Sequence, residues 1–161
     1  MILRDGAQIS TATQGSGKAG TLNVNASESV ELIGASTADE VIPSGLFAGS
    51  QGEGSGSSGN LTIETGKLLI QDGAIVSART LGEGDGGSVI IDASESVSII
   101  GTSLNSSDPS TITTETTSGN GGNIEITVRD LLLLRDRSQI STTAGTDNAG
   151  GNGGNITIQR P

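Results

Sequence analysis

An all-β fold, a parallel β-solenoid of three strands per turn and about five turns spanning residues 1–161, is what this sequence predicts. Three observations lead there. Short stretches of strictly alternating Leu, Ile and Val recur along the whole length. Glycine-rich corners, drawing on 26 glycines, carry the chain from the end of one set of strands to the start of the next. The chain has one aromatic residue, Phe47, no Trp, Tyr, His or Cys, and 32% hydrophobic residues. A layered core needs large side chains to fill space, and disorder is the first expectation from such a composition. Regular alternation argues otherwise, because a narrow core of stacked, similar turns needs only Leu, Ile and Val.

The first strands align as Leu22-x-Val24, Leu61-x-Ile63, Val89-x-Ile91, Ile124-x-Ile126 and Ile156-x-Ile158, with leading residues 39, 28, 35 and 32 apart. A two-residue period buries one face and leaves the other to solvent. The intervening Asn23, Thr62, Glu125 and Thr157 are polar, as that reading requires. Second strands align as Met1-x-Leu3, Val30-x-Leu32, Leu68-x-Ile70, Val97-x-Ile99 and Leu132-x-Leu134. Third strands align on Ile9, Leu46, Val76, Ile112 and Ile140, each followed two positions later by Thr or Ala, a large-then-small pair suited to a tapering corner. No turn can bury its apolar face alone, so stability must come from neighbouring turns.

A longer period overlies the first. LRDGAQIS from Leu3 recurs as IQDGAIVS from Ile70 and LRDRSQIS from Leu134, after 67 and then 64 residues. Odd turns make a tight corner at Asp5-Gly6 and Asp72-Gly73, with Asp136-Arg137 as a departure. Even turns place Gly34 or Gly101 there and insert the loops 35–43 and 102–109. Two turns therefore make one unit.

The formal charge of −10 is spread along the chain, which argues against nucleic acid and anionic membrane, both of which need clustered Lys and Arg. No apolar run approaches the ~18 residues of a membrane span, and no signal-peptide pattern stands at the start. The chain opens and closes inside a repeat, so we expect an uncapped segment of a longer protein.

Several motifs tempt a chemical reading. Gly15-x-Gly17-x-x-Gly20, Gly54-x-Gly56-x-x-Gly59 and Gly82-x-Gly84-x-x-Gly87 match a dinucleotide fingerprint, but each leads into a strand rather than the helix that must hold the pyrophosphate. Lys18 lacks the following Ser or Thr of a phosphate loop. Asp85 sits in a Gly-Asp turn like those of calcium-binding β-rolls, but this repeat is too long to bring successive ligands together. Weak calcium binding at these corners is left open by the sequence. Glu64 beside Asp92, and Glu28 with Glu95, are the nearest approach to a carboxylate pair, and no His, Cys or Tyr accompanies them. No catalysis, cofactor or metal is expected. The threonines of the third strands form no continuous ladder of the kind that binds ice, because Gly49, Arg79 and Glu115 interrupt it.

With the repeat laid out, the chain resembles the shaft of bacterial exoproteins of the filamentous haemagglutinin type, in the long forms common in cyanobacteria. The resemblance rests on Asp5–Ser10 and its copy at Asp72–Ser77, on Ile42–Ala48, and on the strand starts Gly119–Ile124 and Gly151–Ile156. It implies a right-handed parallel β-helix, secreted or at the cell surface, acting as a structural or adhesive module. It also implies export of the parent protein through an outer-membrane β-barrel transporter of the two-partner type. The NPNG-type motifs of that family's secretion domain do not occur here. The candidate contact residues are Asp39, Glu40 and Asp108 on the even-turn loops and Phe47, expected to face outward or to pack under the 35–43 loop. Protein or glycan receptors and end-to-end self-association are the partners to consider. The alternative is a non-catalytic or carbohydrate-binding part of a polysaccharide-active β-helix protein.

Overall fold

The computed structural model describes residues 1–37, 40–52, 56–104, 106–145 and 150–161. In chain order the strands are β1 (Ile2–Arg4), β2 (Gln8–Thr13), β3 (Leu22–Ile33), β4 (Gly45–Ser50), β5 (Leu61–Gln71) and β6 (Ile75–Thr80). They continue with β7 (Val89–Ile100), β8 (Thr111–Thr116), β9 (Ile124–Val128), β10 (Leu131–Arg135), β11 (Gln139–Ala144) and β12 (Ile156–Gln159). No helix occurs among the described residues. One sheet runs β1-β3-β5-β7-β9-β12 with β10 also paired to β7, and the other runs β2-β4-β6-β8-β11. Pairing between these strands is parallel throughout. Two parallel sheets whose neighbours are one repeat apart in sequence are compatible with a β-solenoid.

The register follows the repeat residue by residue. Leu22 pairs with Leu61, Leu61 with Val89, Val89 with Ile124 and Ile124 with Ile156. Leu3, Leu32, Ile70, Ile99 and Leu134 form a second column in the same sheet. Ile9, Leu46, Val76, Ile112 and Ile140 form the column of the other sheet. One feature differs from the expectation of three separate strands. The first two stretches of each repeat run together as one long strand in β3, β5 and β7, with a register irregularity between Ala26 and Ser29 and between Thr65 and Lys67. Only later does the chain divide them, as β9 and β10. A bulge bends a strand without ending its hydrogen-bond ladder, so alternation alone cannot distinguish a bent strand from two short ones.

The core is a stack of aliphatic side chains. Leu32, Leu46, Leu61, Ile63, Ile70, Val76, Ile91, Ile99, Ile112 and Ile126 are completely buried. Between β4 and β5, and at the same point of later repeats, a glycine column lets successive backbones touch. A Cβ on Gly59 would lie 2.0 Å from the Gly20 carbonyl oxygen. On Gly87, Gly122 and Gly154 it would lie 1.9 Å from the carbonyl oxygens of Gly59, Gly87 and Gly122. No side chain fits there.

Threonines from the third-strand column hold this corner. Thr11, Thr114 and Thr142 donate through Oγ1 to the carbonyls of Gly20, Gly122 and Gly154 at 2.8, 2.7 and 3.0 Å. Their hydroxyls supply donors to carbonyls that the strands leave open, which is a more specific role than the general strand preference of threonine.

The corners of the odd repeats are alike in detail. Asp5 and Gly6 have φ of 59° and 85°, and Asp72 and Gly73 have 57° and 86°. The Ala7 N–H donates to the Arg4 carbonyl and the Ala74 N–H to the Gln71 carbonyl, at 3.1 and 3.2 Å. Two left-handed residues closed by such a bond form a type I′ turn, which favours Asp-Gly. The following loops close with antiparallel bridges, Ala35 to Pro43 and Thr102 to Pro109.

Candidate ligand groove on the five-stranded sheet

The strands β2, β4, β6 and β8 send alternate residues to the core and to the outer face. In β4, Leu46 and Ala48 are buried in the core, and Phe47 takes the opposite face, half-buried. The Phe47 ring folds back along its own strand. A Cβ on Gly45 would meet its Cε2 at 2.9 Å and its Cζ at 3.0 Å, so the ring covers the space that glycine leaves. This is the cover an aromatic side chain offers a strand glycine.

Around Phe47 lies an open groove of about 400 Å³. Its walls come from Pro43 at the end of the first loop, from Ile75, Ser77 and Arg79 of β6, and from Thr113 and Glu115 of β8. The pairing explains why these residues meet. Phe47 pairs with Ser77, Ser77 with Thr113, and Arg79 with Glu115. Register neighbours on one face stand about 4.8 Å apart, so residues 30 and 36 positions apart in sequence share one small surface.

Arg79 Nε lies 3.3 Å from Glu115 Oε2, with the guanidinium half exposed. Among the described residues the Arg79 Nη groups make no hydrogen bond. An ion pair this exposed contributes about 1 kcal/mol or less to stability, but it fixes the direction of the guanidinium. Ser77 lines the groove at 5% exposure, and among the described residues the buried side-chain polar atom without a hydrogen-bond partner is Ser50 Oγ. Thr113 Oγ1 accepts from Ser141 Oγ at 3.3 Å. The groove thus combines one aromatic face, aliphatic edges, a cation, an anion and hydroxyls.

The expected contact residues fall into different places. Phe47 is in this groove. Glu40 is exposed, and its backbone carbonyl accepts from Ser36 Oγ at 2.7 Å. Asp108 is exposed and lines a small cleft of about 70 Å³ with Val41 and Pro43 of the other loop. Asp39 lies outside the described residues. The two loops therefore adjoin one another, while Phe47 is linked to them through Pro43. Arg79 and Glu115 were visible in the sequence only as interruptions of a threonine pattern. Their signal lay in the register, which places them one column from Phe47.

Each expected carboxylate pair shares an open cleft on the other sheet's side of the molecule, Glu64 with Asp92 and Glu28 with Glu95. Glu64 and Asp92 are register neighbours in β5 and β7, and Glu64 Oε2 accepts from Asn25 Nδ2 at 2.7 Å. Glu95 forms an ion pair with Lys67 at 3.2 Å, and the two share one open cleft with Glu28 and Glu31. Asp85 Oδ1 accepts from the backbone N and from Nδ2 of Asn120, at 2.8 and 3.1 Å, and Asn120 Oδ1 accepts in turn from Asn152. Asp85 is thus one end of a side-chain ladder along the glycine corner. Among the described residues no group of three or more acidic, His or Cys side chains is placed to hold a metal. No helix of the described residues is long and apolar enough to cross a membrane. Compared with protein-family models, curated proteins and solved structures, the chain matches none of them.

Proposed function

We propose that this chain is a non-catalytic structural and adhesive module, a right-handed β-helix of three strands per turn from the shaft of a secreted or cell-surface exoprotein of the filamentous haemagglutinin type. The observation that supports this reading is the unbroken register of all three apolar columns across the repeats. Stacked turns make a rod whose stability is a sum of neighbour terms, and repetition offers many weak contacts that add by avidity. The parent protein would leave the cell through an outer-membrane β-barrel transporter of the two-partner type, and it would meet protein or glycan receptors outside.

Sedimentation combined with far-UV circular dichroism tests the rod. The expected result is a β-rich spectrum from an elongated monomer or a linear oligomer. A β-rich sphere, or a random-coil spectrum, would sink the shaft reading for this segment.

The groove over Phe47 favours a second reading, a carbohydrate-binding part of a polysaccharide-active β-helix protein. Retardation in native gels that carry soluble starch or hydroxyethyl cellulose tests it. Unchanged mobility in both gels speaks against it.

A further inference from the structure

We propose that the Phe47 groove is a binding site for a neutral pyranose, a mono- or disaccharide unit stacked on the Phe47 ring and hydrogen-bonded by Arg79, Glu115 and Ser77. The inference rests on the carbohydrate-binding reading above, to which it gives a site and a ligand class, and it is independent of the shaft reading.

The ligand class follows from the chemistry of the walls. A pyranose has an apolar face of C–H groups and a rim of hydroxyls, each both donor and acceptor. Phe47 offers the chain's single aromatic face, partly exposed and held in place over Gly45. Arg79 brings donors, Glu115 brings acceptors, and Ser77, which can do both, lines the groove almost buried. Small-molecule sites combine an apolar lining with a few convergent polar groups in volumes from about 300 Å³ upward, and this groove has about 400 Å³.

Charge selects among sugars. Arg79 is neutralised locally by Glu115 at 3.3 Å, and the chain carries a net charge of −10. A sulfated or uronic glycan would therefore be repelled at long range without a free cation to receive it. A neutral sugar meets no such barrier. A flat peptide surface is disfavoured by the groove's small size, far below the area of a stable protein interface.

The test uses the full chain and its own reporter. Phe47 gives the only aromatic proton signals of the protein, so their response to added cellobiose, lactose or maltose reports this site alone. We expect saturable shifts with at least one of the three, at a dissociation constant in the millimolar range, and no saturable shift with a heparin disaccharide. In affinity gels we expect Phe47→Leu, which keeps an apolar cover over Gly45 but removes the stacking face, and Arg79→Met, which removes a charged hydrogen-bond donor, each to weaken binding about tenfold or more. The control Thr157→Ala, on the other sheet, should leave it unchanged.

Phe47 signals that stay still up to sugar saturation overturn the site. If the chain is nonetheless retarded by starch or hydroxyethyl cellulose, the carbohydrate-binding reading survives with its site elsewhere. If neither responds, both fail. Tighter binding of the heparin disaccharide overturns the neutral ligand class. Should Phe47→Leu fail to fold, the wild-type titration and Arg79→Met still decide.

Discussion

Gly73 lies directly beneath Ser103. A Cβ on Gly73 would come within 2.6 Å of the Ser103 Cβ and 2.8 Å of the Ser103 backbone N. The same relation joins Gly6 to Ser36, at 3.0 Å between Cβ positions. The N–H groups of Gly6 and Gly73 donate to the hydroxyls of Ser44 and Ser110, both at 3.0 Å. A tight corner in one repeat thus seats the loop of the next, which explains why the sequence repeats in pairs of turns.

Gly73→Ala should therefore carry two costs, the left-handed φ of 86° and a collision with backbone. We expect a loss of about 2–4 kcal/mol. Gly34→Ala, at a φ of 68° with nothing within 4 Å of the added carbon, should lose only about 1 kcal/mol. Urea unfolding followed by circular dichroism separates the two. Equal losses would mean that the loop moves aside freely.

The glycine column makes a sharper demand. Gly87→Ala would place a carbon 1.9 Å from the Gly59 carbonyl oxygen, so the stack must open there. Loss of cooperative unfolding, or a cost above about 4 kcal/mol, is the expected outcome. Gly15→Ala, with open space around it, should change stability by no more than about 0.5 kcal/mol. A tolerated Gly87→Ala would show that the repeats are spaced more loosely than described.

Ser88 interrupts a second side-chain ladder. Asn60 Oδ1 accepts from the Ser88 N–H at 3.1 Å, and Asn123 Oδ1 from the Asn155 N–H at 2.9 Å. Among the described residues no equivalent side-chain bond reaches Asn123 N. Ser88→Asn would supply the missing acceptor and should raise stability by about 0.5–1.5 kcal/mol, one hydrogen bond. A lower urea midpoint would contradict the ladder.

Arg137 stands where Gly6 and Gly73 stand in the other units, at a φ of 68°. Relief of left-handed strain outweighs the added backbone entropy of glycine, so Arg137→Gly should stabilise by up to about 1 kcal/mol. Thermal unfolding of the pair of proteins checks the sign.

Calcium gives a test of the Asp85 corner. Its Oδ1 already accepts two bonds from Asn120. About 1 mM calcium, enough to occupy weak protein sites, should leave the melting temperature unchanged. A rise that Asp85→Asn removes would assign a cation to that corner.

The strand columns could be read along the chain, because a two-residue alternation of Leu, Ile and Val fixes which face each copy must bury. A slip of one residue would turn Leu61, Ile63 and their partners out to solvent. The Asp-Gly corners were legible too, since Asp and Gly are among the few residues that accept successive left-handed conformations at small cost. The remaining features depend on how the repeats pack. Whether the first two stretches are one bent strand or two depends on a bulge near Ala26 and Thr65, and alternation passes through a bulge unmarked. Thr114 acquires its role only because the chain brings the Gly122 carbonyl within 2.7 Å. Phe47, Arg79 and Glu115 are scattered in sequence and become one groove only when β4, β6 and β8 lie side by side. Local residue preferences act over a few positions and can be read along the chain. A surface shared by three repeats exists only once the repeats have stacked.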